Sequence, residues 1–341
     1  MTIENLAIKN FRGVEDITLN FNEKSVVLFG GNGVGKSTVL DVIQLIFARN
    51  FIYSQGISWG LESVPLTIER IHDFIAIGKK SFEISMKVVF NSCDYNLVLG
   101  QSNDYNNNGY DDTFIKTWNS FSQSERYIPI LAHYQTYRNV SDIVNVNSAA
   151  SFENGKISAL CHAFDPNIAF TDFFKWFRER NELENDRKAH KDAGYVDEQL
   201  KAVKNAVLGM LSEFSDLCMR FFPLRLVAIK QDRELRIDQL SDGEKSVLSM
   251  FADIARRLAI ANPFDSNPLF GEGIILIDEV DAHLHPSWQA KIMPSLMKVF
   301  PNIQFIVTTH SPKVLSEYKG AVIELVKGVR HIVGTSNKNS E

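Results

Sequence analysis

One loop constrains this chain more than any other stretch: Gly30-Gly31-Asn32-Gly33-Val34-Gly35-Lys36-Ser37-Thr38. It follows the apolar run Ser25-Val26-Val27-Leu28-Phe29 and precedes Val39, Leu40, Val42, Ile43, Leu45 and Ile46, whose spacing predicts a helix. A strand, a glycine-rich turn and a helix let successive backbone N–H groups converge on a phosphate, with the positive end of the helix dipole behind them. In such a loop Lys36 reaches the β- and γ-phosphates and Ser37 holds Mg²⁺. The expectation is a nucleoside triphosphate site whose cradle is Gly30, Asn32, Gly33, Val34, Gly35, Lys36, Ser37 and Thr38.

With 341 residues and 45% hydrophobic content, the chain can bury the core of two average domains or of one large α/β domain with insertions. A net charge of −5 argues against a surface that grips nucleic acid everywhere, though it permits a local basic patch. Cys93, Cys161 and Cys218 are far apart and odd in number, which suggests neither a zinc site nor a disulfide framework. The first residues lack the basic-then-apolar order of a signal peptide, and no apolar run approaches the roughly 20 residues of a membrane helix. The expectation is a soluble cytoplasmic protein.

Ile3, Leu6 and Ile8, then Ile17, Leu19 and Phe21, flank the turn Asn10-Phe11-Arg12-Gly13 and predict a hairpin that roofs the nucleotide. Arg12 would contact phosphate or ribose, or remain a surface charge; spacing alone leaves both open. Residues 83–99 alternate as strands, and 101–112 read as a loop, so an antiparallel lobe follows the first helix. Ile128 to Tyr134 is apolar enough for a buried strand and runs into Gln135, at the strand edge where α/β proteins bind ligands. Residues 150–222 read as largely helical: an aromatic stripe (Phe170, Phe173, Phe174, Trp176, Phe177), a mixed-charge run from Arg178 to Asp192, and apolar spacings of three and four up to Phe214 and Leu217. The stripe reads as core and the charge run as a solvated face.

Leu240-Ser241-Asp242-Gly243-Glu244 opens a further helix. Ser241 and the Gly243 backbone would offer a second phosphate site there, and Ser241 with Glu244 also forms a capping box; both readings can hold together. Gly273-Ile274-Ile275-Leu276-Ile277 is an apolar strand that ends in Asp278 and Glu279. Beside a P-loop, one such carboxylate organises Mg²⁺ and its neighbour polarises the attacking water. His283 and His285 have metal-ligand spacing but no third ligand nearby in sequence. A helix is expected from about Ser287 to Val299. The last core strand, Gln304 to Thr309, ends at His310-Ser311-Pro312, where a histidine can sense γ-phosphate.

The order P-loop, Leu-Ser-Asp-Gly-Glu, apolar-Asp-Glu, His-Ser-Pro resembles the ATP-binding-cassette ATPases. The Gly31-Asn32-Gly33 triplet and Asn10-Phe11-Arg12-Gly13 resemble the RecF/SMC branch. Ala282-His283-Leu284-His285-Pro286 and Thr308-Thr309-His310-Ser311-Pro312 resemble bacterial AAA-type ATPases related to the OLD proteins, a group that includes ATPases of retron and Septu-like anti-phage systems. The resemblance implies an α/β P-loop NTPase fold: an ABC-type ATPase head with an antiparallel β lobe and a helical insertion. Its parts would be an N-terminal ATPase lobe (1–140), a helical insertion (141–222) and a C-terminal ATPase lobe (223–341). It further implies a homodimer or higher homo-oligomer in which two heads sandwich two ATPs. Each ATP would sit on one P-loop with Mg²⁺ at Ser37 and Asp278, capped by Ser241 and Gly243 of the other head. Glu279 would be the general base, His310 the switch histidine, and Gln135 the sensor of Mg²⁺ and water. Asp242 and Glu244 stand where transporters carry Gly and Gln, and His285 where the following turn usually has Asp.

Full OLD proteins add a nuclease domain, whereas about 30 residues follow Pro312, too few for a catalytic domain. The leading expectation is therefore an ATP-driven switch controlling a separate effector, a nuclease or toxin, in anti-phage defence or DNA metabolism. A second reading is a RecF-type repair ATPase that contacts nucleic acid through Arg178, Arg180, Arg187, Lys188 and Lys191. A third, a transporter subunit, needs a membrane partner and is opposed by the N-terminal hairpin and the His-Leu-His-Pro turn.

Overall fold

The computed structural model describes residues 1–51, 74–101, 106–108, 111–125, 127–136, 155–165 and 170–326. Parts of the expected 101–112 loop and of the expected helical region 150–222 lie outside the described residues. The chain begins with β1 (Thr2–Phe11), β2 (Val14–Asn20), β3 (Val26–Phe29) and α1 (Lys36–Phe51). The antiparallel lobe follows with β4 (Phe82–Phe90), β5 (Cys93–Gln101), β6 (Asn106–Asn108) and α2 (Asp112–Ser124), then β7 (Ile130–Tyr134). Next come a 3₁₀ turn (Gly155–Leu160), α3 (Phe170–His190), α4 (Glu198–Met210), β8 (Phe214–Phe221), β9 (Leu224–Lys230), β10 (Arg233–Arg236) and α5 (Asp242–Ala261). The chain continues through β11 (Gly273–Ile277), α6 (Pro286–Gln289), α7 (Ile292–Val299), β12 (Ile303–Thr309), α8 (Pro312–Glu317) and β13 (Ala321–Glu324).

Among the described residues, two five-stranded sheets carry the fold. One is parallel, in the order β13-β3-β12-β11-β7; the other is antiparallel, in the order β2-β1-β4-β5-β6. Every residue of β7, β11 and β12 is buried, as expected of parallel strands covered on both faces. The two sheets are joined at Gln304, whose buried amide takes a bond from Ile3 N (2.7 Å) and donates to Ile3 O (2.8 Å). A three-stranded sheet, β10-β9-β8, precedes α5. Among the described residues, no helix is long and apolar enough to cross a membrane.

Helix α5 is the buried spine, packed on α4, α3 and the 3₁₀ turn. Its Asp253 is buried and binds Arg256 (2.6 Å), Arg257 (2.8 Å) and the Tyr134 hydroxyl (2.8 Å). Arg257 in turn donates to the carbonyls of Ala159 (2.7 Å) and Cys161 (3.0 Å). Burial opposes ionisation of Asp253, but the two guanidiniums outweigh it and hold the carboxyl well below its usual 3.8. This network ties the spine to β7 and to the segment before α3.

Four sequence expectations need correction. Phe214 and Leu217 lie in strand β8, not in a helical run, because the chain leaves α4 at Leu211 and pairs with β9. Helix α2 lies outside the predicted elements, although Phe114, Trp118 and Phe121 share one buried face and Asp111 caps it by accepting from Phe114 N (2.8 Å). The expected helix from Ser287 to Val299 is two helices: Pro294 has no N–H to offer the carbonyl four residues back, so the helix breaks ahead of it. Finally, β12 is not the last core strand, since β13 adds to β3 on its other side.

Candidate active site

The loop after β3 enters α1 as the residue pattern predicted. Gly35 has φ +102°, a left-handed conformation that a side chain would strain, and a Cβ there would press on Val14. Lys36 is buried, and its ammonium donates to the carbonyls of Gly30 (2.9 Å) and Gly31 (2.9 Å). Burial pushes its pKa down, with Asp278, Glu279 and Asp281 opposing. A buried ammonium held by carbonyls beside the acidic strand end suits a group that carries negative charge, such as a polyphosphate.

The parallel sheet brings the far end of the chain to this loop. Ser37 Oγ donates to Asp278 Oδ1 (3.2 Å). Thr308 Oγ1 also reaches Asp278 Oδ1 (2.5 Å), and Thr136 Oγ1 reaches Asp278 Oδ2 (3.2 Å). Asp278 N is fixed by Tyr134 O (2.8 Å), and Glu279 N donates to Thr308 Oγ1 (2.7 Å). Glu279 takes φ +45°, an uncommon backbone state for a non-glycine residue, where the chain turns off β11. The structure therefore brings together Lys36, Ser37, Asp278 and Glu279. It adds Thr136 and Thr308, which the sequence reading did not single out; Thr136 is the immediate neighbour of Gln135.

Gln135 stands just past β7, half-buried, at the strand edge the sequence indicated. His310 follows β12 and is exposed, while its neighbours bond inward: Ser311 N to Thr309 Oγ1 (3.0 Å) and Ser311 Oγ to Gln289 Oε1 (2.7 Å). Arg12 turns to α1, where its guanidinium pairs with Asp41 (2.6 Å) and lies over the ring of Phe74 (4.9 Å to the centroid). His133, within β7, is buried, and its Nδ1 faces Gln44 Oε1 of α1. Its Nε2 has no partner among the described residues, and burial pushes its pKa down.

The second predicted phosphate site is separate. Ser241 caps α5 in a reciprocal box with Glu244, as the sequence indicated. This loop lines a cavity of about 880 Å³ with His283, Leu284, His285, Ser287 and Trp288, and no residue of the 30–38 loop lines it. Gly243 is required by close approach, because a Cβ there would lie 2.8 Å from His283 O. His285 caps α6 by accepting from Ser287 N (3.3 Å), which gives it a structural role in this turn. On α3, Arg178 pairs with Glu182, Arg180 with Asp197, and Lys188 with Glu184, while Arg187 donates to the Tyr195 hydroxyl. Four of the five basic side chains named for a nucleic-acid contact are thus engaged within the chain.

Fold and site together define an ABC-type head of the P-loop class, with its phosphate loop, acidic strand end and helix-capping signature. The chain belongs to the family described as "AAA domain, putative AbiEii toxin, Type IV TA system", which matches residues 25–316. It is 30% identical to the "Retron Ec83 probable ATPase" of Escherichia coli, covering 96% of this chain and 72% of that protein. It is 28% identical to the "Retron Vc95 probable ATPase" of Vibrio cholerae serotype O1 biovar El Tor (95% and 73% covered) and 24% identical to the "Septu protein PtuA" of Bacillus thuringiensis (96% and 75%). Among solved structures, an SMC head bound to the C-winged helix domain of ScpA superposes with a TM-score of 0.58 at 16% identity, covering 98% of each chain. The SMC head of Thermotoga maritima gives 0.53 at 14% identity, again with 98% of each covered. At these identities the likeness concerns the fold.

Proposed function

We propose that this protein is an ATP-hydrolysing switch that closes as a head-to-tail pair and thereby controls a separate effector, a nuclease or toxin, in anti-phage defence. The observation that carries the reading is the convergence of Lys36, Ser37, Asp278 and Glu279 at one edge of the parallel sheet. The signature loop supports the pairing, since Ser241 and Gly243 line a cavity apart from that edge and would complete the site of a second head. The retron and Septu relatives support the defence role.

In this mechanism the 30–38 loop and Lys36 bind the triphosphate. The hydroxyl of Ser37 and the carboxylate of Asp278 are hard oxygen donors 3.2 Å apart, which suits Mg²⁺. When bound, the ion neutralises phosphate charge. Thr136 and Thr308 orient the Asp278 carboxylate from both oxygens. Glu279 accepts the proton of the attacking water, Gln135 positions that water, and His310 reports on the γ-phosphate. Closing with ATP and opening after hydrolysis present different surfaces to a partner, and that difference is what can regulate it.

The test is Glu279→Gln, examined by light scattering with and without ATP and Mg²⁺. The variant is expected to bind ATP and accumulate as a closed pair while phosphate release falls about a hundredfold or more. Wild-type turnover in Glu279→Gln would refute the choice of base, and an ATP-independent mass would refute the switch.

A further inference from the structure

The signature loop holds an arrangement that its phosphate-capping role does not explain. Glu244 Oε2 accepts from both Ser241 N (2.8 Å) and Ser241 Oγ (2.8 Å). Ser241 has one hydroxyl proton, and it is directed at a carboxylate of its own helix. A phosphate oxygen accepts hydrogen bonds and does not donate them, so Ser241 as folded here turns its lone pairs, not its proton, toward an incoming triphosphate. Glu244 is also a largely buried anion beside the position that triphosphate would take. Its other oxygen, Oε1, accepts from Lys230 Nζ (2.8 Å), the last residue of β9. Lys230 is held in turn by Glu213 (2.7 Å) and lies over the Phe214 ring, 5.3 Å from its centroid. All of Lys230, Glu213, Ser241 and Glu244 line the same cavity.

We infer that Lys230 is a positioning residue of the shared ATP site: it neutralises Glu244, so that Ser241 can turn its hydroxyl proton from its own helix to the γ-phosphate bound by the neighbouring head. This rests on the paired-head reading above. With Lys230 in place, Glu244 keeps its bond from Ser241 N and its ion pair when the hydroxyl swings away. Without it, the carboxylate keeps the Ser241 proton and repels the triphosphate. An uncharged glutamine at position 244 removes both obstacles, and its amide N–H can donate to Ser241 Oγ and free the hydroxyl proton.

Lys230→Met keeps an apolar stem over Phe214 and removes the charge; Lys230→Gln is the second variant should methionine disturb the packing. Purified full-length variants are compared for phosphate release, for mass with ATP and Mg²⁺, and for binding of a fluorescent ATP analogue, with thermal melts to establish folding. Lys230 variants are expected to release phosphate at least tenfold more slowly and to pair poorly, while analogue affinity for the single head changes less than twofold. The double variant Lys230→Met/Glu244→Gln is expected to regain at least fivefold over Lys230→Met. Glu213→Gln, which removes the other partner of Lys230, is expected not to reproduce the loss. Wild-type turnover in folded Lys230 variants, or no recovery in the double variant, overturns the inference. Ser241→Ala separates the two levels: if it turns over ATP normally, the shared-site reading itself fails. If Ser241→Ala is inactive and Lys230→Met is normal, only the role of Lys230 fails.

Discussion

Ser37 Oγ and Asp278 Oδ1 stand 3.2 Å apart although 241 residues separate them in sequence. The contact exists because β3 and β11 flank β12 in one parallel sheet, so the residues that follow both strands emerge at the same edge. The phosphate loop and the carboxylates are thus two halves of one site, and each can be tested by itself.

Lys36→Ala should severely weaken nucleotide capture. The ammonium is buried and already desolvated, so its removal deletes charge-assisted contacts to phosphate worth about 3 kcal/mol, or roughly a hundredfold in affinity. Titration with a fluorescent ATP analogue checks this, with a thermal melt to establish folding.

Thr308→Val tests the hydroxyl that joins the Asp278 carboxylate to the Glu279 backbone N–H. Thr308 is fully buried, accepts from Glu279 N and donates to Asp278 Oδ1. Valine keeps the shape and leaves the Glu279 N–H without that acceptor, a cost of about 1–3 kcal/mol. Denaturant unfolding should show that loss, and phosphate release should fall with it because Glu279 is no longer anchored.

The four residues Lys36, Ser37, Asp278 and Glu279 were legible because their chemistry is written in residue type and setting: a glycine-rich turn before a helix, and acids at the end of an apolar strand. Thr136 and Thr308 were not, since a hydroxyl near a strand end is common and only the sheet shows that both reach Asp278. Phe214 and Leu217 misled because three-residue spacing also fits a strand with a register shift, which β8 has between Phe214 and Asp216. The capping box at Ser241 was readable as a local pattern. Its link to Lys230 was not, because that contact depends on how β9 lies against α5.

Asp253→Asn should be among the costliest single changes in the chain. It leaves Arg256 and Arg257 buried without their counter-charge, a loss of about 3–5 kcal/mol. The pH dependence has a definite sign. The folded carboxyl is held below its usual value of 3.8, so its contribution is present above that value and is lost as pH falls below it. Unfolding free energies at pH 3, 5 and 7 should show an acid-side decline in the wild type that is shallower in Asp253→Asn.

Arg12 is the residue whose role the ion pair with Asp41 leaves most sharply divided. Its side chain is one-third exposed, so the pair is worth about 0–1 kcal/mol and Asp41→Asn should shift stability by no more than that. If Arg12 serves the nucleotide, Arg12→Ala weakens ATP-analogue binding about tenfold, the worth of one charge-assisted contact, with little change in the melt. Unchanged affinity would assign Arg12 to the hairpin–helix joint alone.

The contact between Gly243 and the His283 carbonyl has a mechanical consequence. The turn that carries the chain away from Glu279 bears directly on the loop that starts α5, with no room for even a methyl group between them. With no slack between them, a shift of the turn toward α5 has to be taken up by that loop, and a neighbour seated on the loop limits the turn in the same way.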